Sequence, residues 1–308
     1  MRCLAALIAL FTLACGGEKS DSTMRLGYFP NVTHSQALIG VARGDFGRIR
    51  PLVFNAGPSV IEALFAGQID VAYVGPNPAI NGYVQSHGTA LRIIAGATSG
   101  GASLVVRNGV KNLAGRKLAS PQLGNTQDVA LRNWLAANNI QAEVVPTPNP
   151  QILDLFRRGD IDGAWVPEPW ASRLVAEAGG VVFLDERTLW PNDDFVTAQV
   201  IASTTFLKAH PDRVRRFLEA HVAITRWELA HPMEAKAIVN NEIGRLTGKK
   251  LSEPVLAAAW AHMRPTWDPI ERSLRQSADA AYAAHFLRDR PNLDGIYDLR
   301  LLDEVVKP

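Results

Sequence analysis

The sequence predicts an α/β protein built as two similar lobes with a helical C-terminal tail. From about Leu26 short apolar strands alternate with amphipathic helices, the pattern of largely parallel sheets covered by helices. One block occurs twice: Pro58 to Val74 matches Pro150 to Val166 without a gap, at an offset of 92 residues. After Val200 the alternation stops and helical periodicity takes over.

Each copy of the block reads as helix, turn and strand. Pro58 and Pro150 stand in the first helical turn, where a missing N–H costs nothing. Ile61, Leu64 and Phe65, like Ile152, Leu155 and Phe156, set apolar side chains at helical spacing. Gly67 and Gly159 end the helices in the left-handed conformation. A short strand follows Asp70 or Asp162, ends at Tyr73 or Trp165, and runs into a proline-rich loop, Gly75 to Pro78 or Pro167 to Trp170. Upstream the offset pairs Leu26 with Leu118, Thr33-His34 with Asn125-Thr126 and Val53 with Val145. Duplication and convergence both produce such a pattern, and either gives two lobes. The expected boundaries put residues 24–106 and 200–308 in the first lobe and 107–199 in the second, with crossings near Arg107 and Val200. In the tail Ser203 is placed to cap a helix, and Val214, Phe217, Leu218, His221 and Val222 form an apolar stripe. Further helices are expected over about 232–246, 253–263 and 269–287.

The N-terminus is a separate region. Met1-Arg2 supplies positive charge, and Leu4 to Ala14 is an apolar run too short to span a bilayer and suited to the core of a signal peptide. It closes on Thr12-Leu13-Ala14-Cys15, which resembles a bacterial lipobox with Leu one place nearer the cysteine than usual. The resemblance implies cleavage of residues 1–14, lipidation of Cys15, a tether over 15–23 and membrane attachment in the cell envelope. An ordinary secretory signal and a short buried helix are the alternatives.

Bulk properties narrow the function. The 308 residues are 47% hydrophobic and 20% charged, an ordinary globular balance with enough chain for two cores. With 32 basic and 30 acidic residues, the net charge of +2 gives no electrostatic ground for a nucleic-acid partner. Both cysteines, Cys3 and Cys15, lie in the N-terminal segment, so the body of the chain holds neither a disulfide nor a catalytic thiol. It carries no phosphate-cradling Gly-x4-Gly-Lys loop, no dinucleotide fingerprint, no His-Glu-x-x-His and no Gly-x-Ser-x-Gly elbow. Its seven histidines are scattered without metal-ligand spacing. No cofactor is expected.

In open parallel sheets a ligand sits beyond the carboxyl ends of the strands. Here those ends run into the loops of Tyr28 to His34, Asn55 to Pro58, Gly75 to Pro78, Thr98 to Ser103, Ser120 to Gln127, Thr147 to Pro150 and Trp165 to Trp170. Several open helices: Asn77 before Pro78, and Asn125 or Thr126, read as N-caps. Helix starts present free N–H groups and a positive dipole end, which favour an anion. Ser99 to Ser103 are small enough for backbone to approach a ligand, and Tyr28, Phe29, Trp165 and Trp170 can wall one. Each residue also has a structural role open to it. Caps cap helices regardless of ligands, Trp165 can be core, and Asp70 and Asp162 can hold turns. Glu168, between two prolines, can meet a ligand, bridge the lobes or face solvent.

Leu26 to His34, Val71 to Ala79, Gly96 to Ser103, Ala119 to Gln127 and Asp162 to Trp170, in that order, resemble the aliphatic sulfonate, nitrate and taurine group of ABC-importer binding proteins. The resemblance implies a bilobed, periplasmic-binding-protein-like class II fold that closes on its ligand. It implies a monomer that binds a small anion without chemistry and delivers it to a permease and its ATPase. Mapped onto this chain, it assigns ligand contacts to Phe29, Asn31, Gly75, Asn77, Ser99, Gly101, Asn125, Thr126, Gln127, Trp165, Glu168 and Trp170. Among these, Asn77, Gly101, Asn125 and Thr126 would donate to an anionic head, while Trp165 and Phe29 would pack on the remainder. A binding protein for a thiamine precursor or another heterocycle, stacked on the tryptophans, is the alternative. A thiamine-precursor synthase branch of the same fold relies on a cysteine-rich segment, which this chain lacks.

Overall fold

The computed structural model describes residues 23–307; the signal-peptide and Cys15 expectations lie outside them. Two sheets form the two lobes. The chain lays down β1 (Met24–Tyr28), β2 (Ile49–Val53), β3 (Val71–Val74) and β4 (Leu91–Gly100), and then passes to the second sheet. There it forms β5 (Ala102–Arg107), β6 (Lys117–Ser120), β7 (Glu143–Pro146), β8 (Gly163–Pro167) and β9 (Gly180–Asp185). It returns to add β10 (Val196–Ser203) and β11 (Met263–Pro265) to the first sheet. The strand orders are β11-β4-β10-β3-β1-β2 and β7-β6-β8-β5-β9. Crossing therefore falls at Gly101, earlier than the Arg107 expected, because β5 already pairs with β8 and β9. The return is complete by Val196, ahead of Val200.

The sheets are less uniformly parallel than the alternation suggested. In each, one antiparallel strand is inserted beside the third parallel strand: β10 between β3 and β4, and β5 between β8 and β9. These are the strands that carry the chain between lobes. Apolar composition does not distinguish their direction, since a strand buried on both faces reads the same either way.

The internal repeat is visible in the register. Leu26 pairs with Val71 and Leu118 with Gly163, at matching positions of the two copies. On the other side Tyr28 pairs with Val53 but Ser120 pairs with Pro146, so the expected twin of Val53, Val145, is one residue short. A slip of one residue reverses the face a side chain presents. The twin aspartates stitch their sheets alike. Asp70 accepts from the N–H of Arg25 at 2.8 Å, and Asp162 from the N–H of Lys117 at 2.9 Å. Gly67 and Gly159 have φ of 63° and 85°, which L side chains resist.

The helices of the first half start at the carboxyl ends of the strands. They are α1 (Ser35–Arg43), α2 (Gly57–Phe65), α3 (Pro76–Gln85), α4 (Thr126–Ala137), α5 (Asn149–Arg158) and α6 (Trp170–Ala178). The tail supplies α7 (Thr204–Ala209), α8 (Pro211–Ala230), α9 (Pro232–Thr247), α10 (Glu253–Ala261), α11 (Glu271–Ala283) and α12 (Arg300–Val306). Ser203 caps α7, its hydroxyl accepting from Phe206 N at 3.1 Å. The stripe of α8 joins the buried cluster that holds residues of β1, β3 and β10, and Phe217 and Leu218 in it are fully buried, each side chain contributing roughly 1.5–3 kcal/mol. Met263, expected at a helix end, instead opens β11 at the edge of the first sheet. Within that core His221 is neutral and fixed in one tautomer: Nε2 donates to Gly96 O at 2.9 Å and Nδ1 accepts from Tyr73 OH at 2.8 Å. Among the described residues no helix is long and apolar enough to cross a membrane.

Candidate ligand-binding site

Between the lobes lies a small cavity of about 20 Å³, open toward solvent at Asn55, with room for little more than one water-sized group. Equivalent positions of the repeat line it from both lobes: Thr33 and Asn125, His34 and Thr126, Gly75 and Pro167. Phe29, Asn31, Asn55, Gln127, Asn149 and Thr197 complete the lining. The helical segments adjoining it therefore aim their starts inward: Gly75 is the N-cap of α3, Asn125 that of α4, and Asn149 the first residue of α5. Their first-turn N–H groups have no partners within the helix.

No lining residue carries a charge. His34 is buried, and burial lowers its pKa to about 3. Its Nδ1 accepts from Phe29 N at 3.1 Å, which leaves the proton of the neutral ring on Nε2. The ring stacks on Phe29 with centroids 4.5 Å apart. Thr126 Oγ1 and Asn149 Oδ1 are buried without a hydrogen-bond partner within the protein, an arrangement that costs stability unless a partner arrives. Hydroxyls, amides and helix starts, without a full positive charge, can offer hydrogen bonds to a small polar or anionic group.

Of the residues expected at the site, Phe29, Asn31, Gly75, Asn125, Thr126 and Gln127 meet here. Trp170 stands just outside, its Nε1 donating to Asn31 Oδ1 at 3.2 Å across the lobes. The others have structural duties. Asn77 is not a cap but lies inside α3, and its amide donates to Ser277 O at 3.1 Å on α11. Ser99 is tied to Asp194, and Gly101 accepts from Glu168 N at 2.9 Å where the chain changes sheets. Trp165 is fully buried in the core of the second lobe, and its Nε1 donates to Glu186 at 2.7 Å.

Glu168 bridges the lobes. Fully buried, it accepts from Ser172 N at 3.1 Å and Ser172 Oγ at 3.0 Å, and pairs with His262 Nδ1 of the first lobe at 2.8 Å. The hydrogen bond that His262 donates to Glu168 raises the pKa of His262. Nearby, α6 packs against α10, so this pair belongs to the contact that holds the lobes together.

Thr33, His34, Asn55, Asn149, Pro167 and Thr197 were absent from the sequence-based assignment of ligand contacts, although Thr33, His34 and Pro167 lie in loops marked as strand ends. Asn55 and Asn149 sit in loops already marked as strand-to-helix connections, and a polar residue there was the available signal. Thr197 had none, because β10 belongs to neither copy of the repeat. No group of His, Cys, Asp or Glu among the described residues is placed to hold a metal ion.

A model of the NMT1-like family matches residues 17–242, most of the chain. The protein belongs to the NMT1-like family. Its relatives include the putative aliphatic sulfonates-binding protein of Bacillus subtilis (strain 168), 24% identical over 302 residues that cover 92% of this chain and 88% of that protein. The taurine-binding periplasmic protein of Escherichia coli (strain K12) is 25% identical over 185 residues, 58% of this chain and 57% of that protein, so this match spans little more than half of the relative's length. The alkanesulfonate-binding protein SsuA from Xanthomonas axonopodis pv. citri, solved bound to MOPS, superimposes with a TM-score of 0.74 at 20% identity, covering 90% of this chain and 98% of that one. This NMT1-like chain thus has the two-lobed binding-protein fold.

Proposed function

We propose that this NMT1-like protein is the solute-binding component of an ABC-type importer and captures a small oxyanion of the sulfonate, taurine or nitrate class between its lobes. One observation carries the reading: an uncharged cavity between the lobes, framed by helix starts from both, with buried polar atoms that lack partners. Such a cavity binds and releases without chemistry, and the names of the relatives point to the same solutes. The proposal includes export, a lipid anchor at Cys15, a monomeric state and delivery to a permease driven by an ATPase.

Methanesulfonate, taurine or nitrate at about a hundred times its Kd is expected to add about 2.7 kcal/mol and raise Tm by roughly 5–10 °C. The bound compound should be recovered unchanged. Thermal scans across these anions, with pyrimidines as the contrasting class, check this; no shift with any anion would overturn the solute class, and turnover would overturn binding without chemistry. Cys15→Ser is expected to move the protein from the membrane fraction to the soluble envelope fraction, and an unchanged distribution would refute the anchor.

A further inference from the structure

We infer that the solute is an elongated anion with an acidic group at each end, one in the cavity between the lobes and the other at Lys249 and Lys250. This rests on the binding role proposed above and adds the shape and second charge of the solute. The cavity itself has room for little more than one water-sized group, so the body of a larger solute must lie outside it. It adjoins a crevice of about 390 Å³, and Phe29, Asn31, Asn55 and Asn149 line both. A crevice of that size suits the body of a small molecule. Phe54 joins Phe29 on the first-lobe wall, and Trp170 forms the wall of the second lobe.

Charge gives the crevice its direction. Arg173 and Glu177 line it and pair, with Arg173 Nε 2.9 Å from Glu177 Oε1; Glu177 also pairs with Arg157 at 2.7 Å and feels the charge of Lys249. Lys249 and Lys250, just beyond the end of α9, line the crevice, are exposed and have no ion-pair partner among the described residues. The stem of Lys250 lies against the helix: a Cβ added at Gly244 would come within 2.6 Å of Lys250 Cγ. The crevice on the other side of the cavity shares only Thr126 with it. That crevice is lined by Glu186, and by Asp279 already paired with Arg290 at 3.3 Å. An anionic solute whose body outgrows the cavity is drawn toward the lysines.

Isothermal titration of the full chain at low ionic strength with hexanesulfonate and 6-sulfohexanoate tests the inference. The dianion is expected to bind about 10-fold more tightly, and the double variant Lys249→Gln, Lys250→Gln to abolish that preference while holding hexanesulfonate affinity within about 2-fold. Equal binding of the two probes by the wild type, or a preference that survives in the double variant, overturns the second-charge inference and leaves the oxyanion role standing. Failure of both probes to bind, alongside binding of methanesulfonate, overturns the elongated shape. Failure of all three counts against the binding role itself.

Discussion

Gly75→Val is expected to weaken sulfonate capture by about 100-fold while leaving the Tm of the unliganded protein within about 2 °C of wild type. The backbone of Gly75, with φ −71° and ψ 163°, is one any residue adopts, so the glycine is not needed for its conformational freedom. It is needed for space. A Cβ there would fall well under 3.0 Å from Thr126 Oγ1 and 3.5 Å from Thr197 O. Thr126 begins α4 on the opposite lobe, so the added volume lands in the gap between lobes and not inside either core. Overpacking costs about 1–3 kcal/mol, and 100-fold in Kd corresponds to about 2.8 kcal/mol. The lobes can relieve the clash by staying apart, so the cost falls on closure and affinity. Titration calorimetry and thermal scans of the variant measure both quantities. Wild-type affinity would show that the cavity does not close on the solute here.

The second large effect concerns pH. Stability is expected to plateau between about pH 4.5 and 6.5, to fall by about 3 kcal/mol from pH 6.5 to 8, and to fall again below pH 4.5. Four buried groups set this profile. Burial raises the pKa of Glu186 to about 7 and of Glu228 to about 8. Each binds a proton more readily when folded, so the folded state is favoured below the folded pKa and loses ground as pH rises toward it from 4.5. Burial lowers His34 to about 3 and His221 to about 4. Each resists protonation when folded, so stability is lost as pH falls below 6.5 toward the folded pKa. The two slopes oppose each other between pH 4.5 and 6.5. Above that only the acids act, joined by His262, whose raised pKa means its pairing with Glu168 also fades as pH rises. Thermal scans from pH 4 to 8.5 should show Tm dropping by roughly 5–10 °C above the plateau. Glu228→Gln should flatten most of that decline. A profile that still rises between pH 6.5 and 8 would refute the assignment of neutral buried acids.

The parts of the site that could be read from sequence are those that local chemistry determines. Helix starts at strand ends, the prolines and the glycine stops located the cleft loops, and the repeat located them twice. Side-chain direction was not legible. Asn77 looked like a cap because it precedes Pro78, yet the helix begins two residues earlier and its amide turns to α11. Trp165 looked like a wall for ligand, although its twin in the repeat, Tyr73, gave the better guide. Each aromatic ends a strand inside its own lobe, and each polar atom meets a buried partner, Glu186 for Trp165 and His221 for Tyr73. Repeat partners share an environment, and comparing them is more informative than reading either alone. Thr197 and the Glu168–His262 pair depend on contacts between segments far apart in the chain, which no local pattern encodes.

The two antiparallel strands also set the order in which the molecule can assemble. All five strands of the second sheet come from one continuous stretch, residues 102–185. The first sheet is interrupted: β3 and β4 are separated by β10, which arrives only after the whole second lobe has been traversed. A chain emerging from its N-terminus therefore holds the earlier strands without the partner that joins them, and the later lobe finishes before the earlier one. Long-range pairing of this kind slows folding. The strand that places Thr197 in the cavity is the same strand that joins β3 to β4, so the first lobe gains a continuous sheet from β2 to β4 and its last cavity residue in a single step, with only the edge strand β11 still to come.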